Sequence, residues 1–187
     1  MARTKTSARQ SLLDAATILL AENPGASFIE IAEAAGVGRA SLYRHFPTRE
    51  DLIRELSLEA IRATDKASSH IMSDAASATD ALRLSVEAMI PLGDRYYFLT
   101  RLPVMEDEEV NRHIKRQNSE MLMLIKAVQQ EGSIDPKLPA NWAVAVFNGL
   151  IYTAWQVMAE EGLSTEDAAS LVFRTLLNGL GAQQSDE

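Results

Sequence analysis

Residues 27–46 read SFIEIAEAAGVGRASLYRHF, and no other stretch constrains the fold of this chain so tightly. Ser27 with Glu30 three residues on is a capping box, which starts a helix by satisfying two orphan backbone N–H groups reciprocally. Phe28, Ile31, Ala32 and Ala35 follow at helical spacing and make one apolar stripe. Gly36-Val37-Gly38 then forces a turn: Gly36 suits the left-handed position that closes a helix, and Val37 fills the angle between two helices. A second helix is expected over about residues 39–45, with Leu42 and Phe46 facing inward and Pro47 ending it. The pattern is a helix-turn-helix, whose second helix has the dimensions to lie in a DNA major groove.

The flanking residues extend the same reading. Leu12, Leu13, Ala16, Leu19 and Leu20 predict a helix over residues 7–22, stopped by Asn23-Pro24-Gly25. Thr48 and Asp51 form a second capping box, opening a helix expected to reach about residue 72 through Leu52, Ile53, Leu56, Leu58 and Ile61. Residues 73–78 read as a loop, and 79–90 as a helix with Leu82, Val86 and Met89 on one stripe. Pro91 and Gly93 are expected to break it before a short helical segment at 94–100. Further helices are expected at about 106–130 and 140–161, and from a Ser164/Asp167 capping box to about 180. Residues 183–187 are expected to be disordered. No stretch alternates apolar and polar residues, so the fold class is all-α: a three-helix domain at 1–47 and a helical domain at 48–187, about nine helices in all.

With 187 residues, 47% of them apolar, the chain is long enough to bury a substantial core. It has no cysteine, which excludes disulfides, thiolate metal sites and cysteine nucleophiles. The first ten residues are polar and basic, without the apolar segment of a secretory signal, so a cytoplasmic protein is expected. The net charge of −8 argues against nucleic acid until its distribution is considered. Residues 1–62 carry eight basic and eight acidic side chains, so the excess lies wholly beyond them. An acidic body behind a neutral head would turn that head toward phosphate.

The string LLDAATILLAENPGASFIEIAEAAGVGRASLYRHFPTREDLIREL, residues 12–56, resembles the tetracycline-repressor (TetR) family of bacterial transcription regulators. It covers about a quarter of the chain as an ordered string at fixed spacing. The resemblance implies a DNA-binding domain, a variable helical ligand-binding domain and a homodimer on a palindromic operator in double-stranded DNA. It also implies that Ser27, Tyr43, His45 and Arg49 contact phosphate. The chemistry of neighbouring residues agrees. Arg39 can pair bidentately with guanine, Ala40 can meet a thymine methyl, and Ser41 is short enough to bond base or phosphate. Backbone N–H groups at the starts of the second and fourth helices also suit phosphate oxygens, Gly38 and Thr48 are further expected DNA contacts, and Arg44 is expected to add a backbone contact. Arg3, Lys5 and Arg9 are expected to follow the DNA backbone or enter a minor groove.

The helix expected at 140–161 is apolar nearly all round and approaches the length of a membrane span. We read it instead as a helix that buries one side in its own core and the other against a partner, with no membrane involved. The last helix carries a companion stripe, and the resemblance implies that these two helices pair with their copies, giving an expected dimer interface of Gly149 on this helix and Leu171, Val172, Thr175, Leu176 and Gly179 on the last. Met89, Tyr96, Tyr97, Met105, Met121, Phe147, Tyr152 and Trp155 are flexible or aromatic, and form the expected pocket for an unidentified, partly apolar small-molecule effector. Asn148 is an expected polar anchor there.

Enzyme chemistry finds little support. His70 with Asp74, and Glu109 with His113, stand four residues apart, but two ligands are too few for a metal site. There is no phosphate loop, nucleophile elbow or H-E-x-x-H, so no catalytic residue, metal or cofactor is expected. The leading expectation is a repressor released from its operator by a small molecule. The alternative is a DNA-binding protein of the same fold without such an effector, controlled by a protein partner.

Overall fold

The computed structural model describes residues 7–102 and 107–181. Among the described residues there are ten α-helical segments, two 3-10 turns and no strand. They are α1 (Ala8–Glu22), α2 (Phe28–Ala34), α3 (Arg39–His45), α4 (Arg49–Ser68), α5 (Ile71–Asp74), α6 (Ala78–Met89), α7 (Gly93–Tyr96), α8 (Glu108–Gln130), α9 (Ala140–Glu161) and α10 (Thr165–Leu180). The 3-10 turns, Ile90–Leu92 and Tyr97–Arg101, flank α7. The tail expected to be disordered, residues 183–187, lies outside the described residues, as do Arg3, Lys5 and Met105.

The chain forms two compact units. The first comprises Met1–Ala60 and Arg95–Val110. Helix α1 starts at Ser7, whose Oγ accepts the Gln10 N–H at 3.2 Å. It ends at Asn23, whose N–H reaches the Leu19 carbonyl at 2.8 Å. Leu12, Leu13, Leu20, Ile31, Leu42, Leu52 and Leu56 are each less than 2% exposed and share one core. Burying each contributes about 1.5–3 kcal/mol, which makes this core the main reason that three short helices hold one geometry. Phe98 and Leu102 join the same core. The expected boundary at residue 47 puts residues 94–100 in the second domain, whereas Arg95–Val110 belongs to the first unit, which gains a segment from far along the chain.

The second unit comprises Ile61–Asp94 and Asn111–Glu187. Its core gathers Leu82, Ile90, Ile125, Ile134, Phe147, Val172 and Leu176 from α6, α8, α9, α10 and the turns beside them. Two local expectations are corrected here. Helix α4 stops at Ser68, not near residue 72: the Ser69 N–H and hydroxyl both turn back to the Lys66 carbonyl, at 3.4 and 2.9 Å, an i−3 bond in place of the helical i−4 one. The stretch expected to be a loop, 73–78, holds the end of α5 and then another S-x-x-D cap: Ser77 Oγ accepts the Asp80 N–H at 3.0 Å and starts α6 at Ala78. Pro91 breaks the helix as expected: α6 stops at Met89, and Pro91 sits in the 3-10 turn that follows, where no helical N–H is required of it. Further on, Gly162 takes a left-handed φ of 73° and closes α9, and Ser164 Oγ accepts the Asp167 N–H to open α10.

Candidate nucleic-acid interface

The expected capping box at Ser27 forms in full. The Glu30 N–H donates to Ser27 Oγ at 3.2 Å, and the Ser27 N–H donates to Glu30 Oε2 at 2.7 Å. The Ser27 hydroxyl, followed by its backbone, holds the Glu30 carboxyl below its ordinary range. At the other end of α2, the Gly36 N–H reaches the Glu33 carbonyl and the Val37 N–H reaches back to Ala32. Gly36 sits at φ 64°, a region that costs L residues energy, so a glycine there lets the chain turn without strain. Val37 is half-buried against the first unit's core.

Gly38, with φ −65° and ψ 149°, caps α3 without a side chain. Helix α3 then divides cleanly. Leu42 is fully buried and Phe46, just beyond the helix, is 3% exposed. Arg39, Ala40, Tyr43 and Arg44 are exposed, and Ser41 and His45 are half-buried. Two of these groups are already engaged. The Arg44 guanidinium donates to Ser41 Oγ at 3.0 Å. The Tyr43 ring stands edge-on to Phe28, with centroids 5.5 Å apart and an interplanar angle of 82°.

Thr48 and Asp51 cap α4 as expected. The Thr48 N–H donates to Asp51 Oδ2 at 3.0 Å, and the Asp51 N–H donates to Thr48 Oγ1 at 3.1 Å. Arg49 has a task the sequence did not suggest: its guanidinium donates to the Pro24 carbonyl at 2.9 Å and ties the start of α4 to the loop before α2. Arg9 is also engaged, paired with Glu55 at 2.8 Å and lying over the Phe46 ring. The outward groups thus form one face of guanidinium, phenol and hydroxyl donors around α3, without a competing carboxylate among α3's own residues.

The expected interface residues of the second unit separate. Gly149 on α9 and Leu171, Thr175 and Gly179 on α10 are exposed in the protomer. Val172 and Leu176 are corrected: at 4% and 0% exposure they fill the protomer's own core and are not on the open face. The outer face of α9 instead adds Trp142 and Tyr152, 58% and 50% exposed. By length and composition α9 could cross a membrane, with a mean hydropathy of 1.2 over its most apolar window, of which only 28% is buried.

The expected pocket residues also divide. Met89, Met121, Phe147 and Trp155 lie in or against the second unit's core, whereas Tyr96 and Tyr97 belong to the first unit. Tyr152 is half exposed beside Trp155. The Trp155 indole N–H donates to the Met89 and Ile90 carbonyls at 3.2 and 3.1 Å, and a Cβ at Gly93 would overlap its ring. Asn148 donates to Asn118 at 3.1 Å. A groove of about 400 Å³ on the second unit is lined by Arg83, Glu87, Glu166, Phe173 and Arg174 among others, none of them an expected pocket residue. Among the described residues no three metal-ligating side chains converge. His70 precedes α5 as its N-cap rather than sharing a helix face with Asp74, and Glu109 is taken by Arg54.

A helix-turn-helix with an outward donor-rich second helix defines a DNA-binding transcription regulator. Residues 12–56 match the family model described as bacterial regulatory proteins, tetR family. Over 180 residues the chain is 30% identical to the HTH-type transcriptional repressor LfrR of Mycolicibacterium smegmatis, covering 92% of this chain and 89% of that protein. The crystal structure of LfrR from Mycobacterium smegmatis in complex with proflavine is similar at a TM-score of 0.77 and 26% identity, covering 94% and 97% of the two chains. AibR, crystallised with isovaleryl coenzyme A and operator DNA, shares the fold at a TM-score of 0.78 and 18% identity, covering 91% and 98%. The chain belongs to the TetR family of bacterial regulatory proteins. The relatives named here are regulators.

Proposed function

We propose that this regulator is a repressor that binds a palindromic operator as a homodimer and is released by a small, partly apolar molecule. The carrying observation is the division of α3, with Leu42 held in the core while Arg39, Ala40, Tyr43 and Arg44 face outward. In this reading Arg39 and Ala40 meet base edges. Tyr43, Arg44, His45, Arg49, Ser27 and Thr48 meet phosphates or their immediate surroundings, with the Gly38 backbone beside them. Ser41 acts through its bond to Arg44. The DNA-reading part is residues 1–47, and residues 48–187 control it in the cytoplasm, where operator DNA is found.

The uncovered faces of α9 and α10 support a dimer. Two copies would place two reading heads about one DNA turn, roughly 34 Å, apart. Helix α4 starts two residues after Pro47 and is continuous to Ser68, so a displacement of its far end is transmitted to its start. An effector that favours the non-binding spacing by about 1–3 kcal/mol weakens operator binding substantially. The proflavine in the LfrR complex supports a planar aromatic cation as the first effector class to try, and the net charge of −8 suits a cation. The capped indole of Trp155 and its packing on Gly93 favour the second reading, control without a small-molecule effector.

The test is operator titration by fluorescence anisotropy, using a duplex that the full chain selects from a random-sequence pool. Arg39→Ala should relax base preference, and Tyr43→Phe should weaken binding evenly across sequences. Unchanged binding in both variants removes the interface assignment. Proflavine added to the complex should release DNA; no release by it or other aromatic cations favours the second reading.

A further inference from the structure

We infer that Phe28 is a positioning residue for DNA binding, acting through Tyr43. This rests on the proposed contact of Tyr43 with a backbone phosphate. Phe28 is the first residue of α2 and is half-buried against the core of the first unit. Tyr43 lies on the second helix of the motif and is 50% exposed. The ring centroids are 5.5 Å apart at 82°, an edge-to-face pair, in which the positive edge of one ring meets the negative face of the other.

The arrangement addresses a cost that any exposed tyrosine carries into binding. A free side chain must give up rotamer freedom when its hydroxyl docks on a phosphate. Here the ring is already held by Phe28, while the hydroxyl has no hydrogen-bond partner among the described residues and stays available to a phosphate oxygen. The anchor is itself fixed, because α2 is closed by the Ser27–Glu30 capping box at one end and by the Gly36 turn at the other. Phe28 therefore touches no DNA in this reading. It sets where the Tyr43 hydroxyl is presented, and so contributes to affinity without contributing base preference.

The experiment measures affinity for the selected duplex between about 50 and 200 mM salt, with the full chain and the variants Phe28→Leu, Phe28→Tyr, Tyr43→Phe and Tyr43→Ala, together with Phe28→Leu in the Tyr43→Ala background. Phe28→Leu keeps an apolar side chain against the core and removes the ring. It should weaken binding by about three- to tenfold, have no added effect once Tyr43 is alanine, and leave the ranking of base-substituted duplexes intact. Phe28→Tyr, which keeps a ring at this position, should bind like the wild type, and a loss equal to that of Phe28→Leu would count against the inference. An equal loss in both backgrounds would mean that Phe28 acts only through the fold, and the inference fails. It also fails if Phe28→Leu alone binds like the wild type. If neither Tyr43 variant changes affinity or its salt slope, the phosphate reading itself falls, taking this inference with it. If the Tyr43 variants weaken binding but Phe28 shows no coupling, only the inference falls.

Discussion

Arg54 on α4 donates through Nε to Asp107 Oδ2 at 2.8 Å, and its other arm is bonded to Glu109. Asp107 in turn accepts the Val110 N–H at 2.9 Å through its second oxygen and so caps the start of α8. One guanidinium thus joins a residue one turn into α4 to the residue that opens another helix, more than fifty positions later. The Val110 N–H, followed by Arg54, holds the Asp107 carboxyl below its ordinary range, and Asp107 holds the Arg54 guanidinium above its own. A carboxylate with a lowered folded pKa stabilises above its unfolded pKa and loses that contribution as pH falls through the folded one. Arg54→Gln should therefore lower the melting temperature at pH 7, with a deficit constant down to about pH 5 and shrinking below about pH 4. Thermal melts of both proteins across that range check it. A deficit independent of pH would show that Arg54 acts by packing rather than charge.

Glu131, at the end of α8, accepts the N–H groups of Ala78 and Thr79 at 2.6 and 2.8 Å and the Thr79 hydroxyl at 2.7 Å. It supplies acceptors that the first turn of α6 lacks within its own helix. The Thr79 hydroxyl, then the Ala78 and Thr79 amides, lower its pKa, so its contribution too is present above the carboxylate range and lost in acid. Glu131→Ala should speed amide hydrogen exchange at residues 78 and 79 at neutral pH while leaving α2 and α3 unaffected. Protection unchanged at those two amides would count against the cap.

Gly93 packs under the Trp155 ring so closely that a Cβ there would overlap it. Gly93→Ala should cost about 1–3 kcal/mol, the usual penalty for overpacking a filled site. Trp155→Phe removes the N–H shared by the Met89 and Ile90 carbonyls and should cost about 0.5–1.5 kcal/mol, plus a term for the smaller ring. Because the two sites touch, the double variant should fall short of additivity. Urea denaturation of the single and double variants measures all three.

Tyr152 and Leu171 are 50% and 40% exposed in the protomer. Replacing both with glutamate should leave the protomer folded, prevent pairing of the α9 and α10 faces, and weaken operator binding by roughly 10²–10⁴ through loss of the second reading head. Sedimentation velocity and anisotropy report the two effects. A variant that still sediments as a dimer would place the interface elsewhere.

The helix-turn-helix was legible because its determinants are local. Ser27 with Glu30, Thr48 with Asp51, and Gly36 act over three to five residues, and each forms in the structure as its spacing requires. Where local signals competed, the reading failed. Apolar spacing carries α4 past Ser68, but the Ser69 N–H and hydroxyl turn back to the Lys66 carbonyl. The S-x-x-D at Ser77 was a readable signal that the small, polar run around it obscured.

By itself the sequence determined an all-α chain, the positions of its caps and turns, and the side chains offered along α3. These follow from short-range hydrogen bonding and from a helical period that fixes which residues share a stripe. Only the tertiary structure decided which stripe meets which core. Val172 and Leu176 differ from Leu171 and Thr175 by one position along α10, yet the first pair is buried and the second exposed. Phe98 and Leu102 lie far along the chain from α1 and α3 but share their core. Apolar burial is non-directional, so a stripe states that a residue will be covered; what covers it depends on the packing of segments distant in sequence.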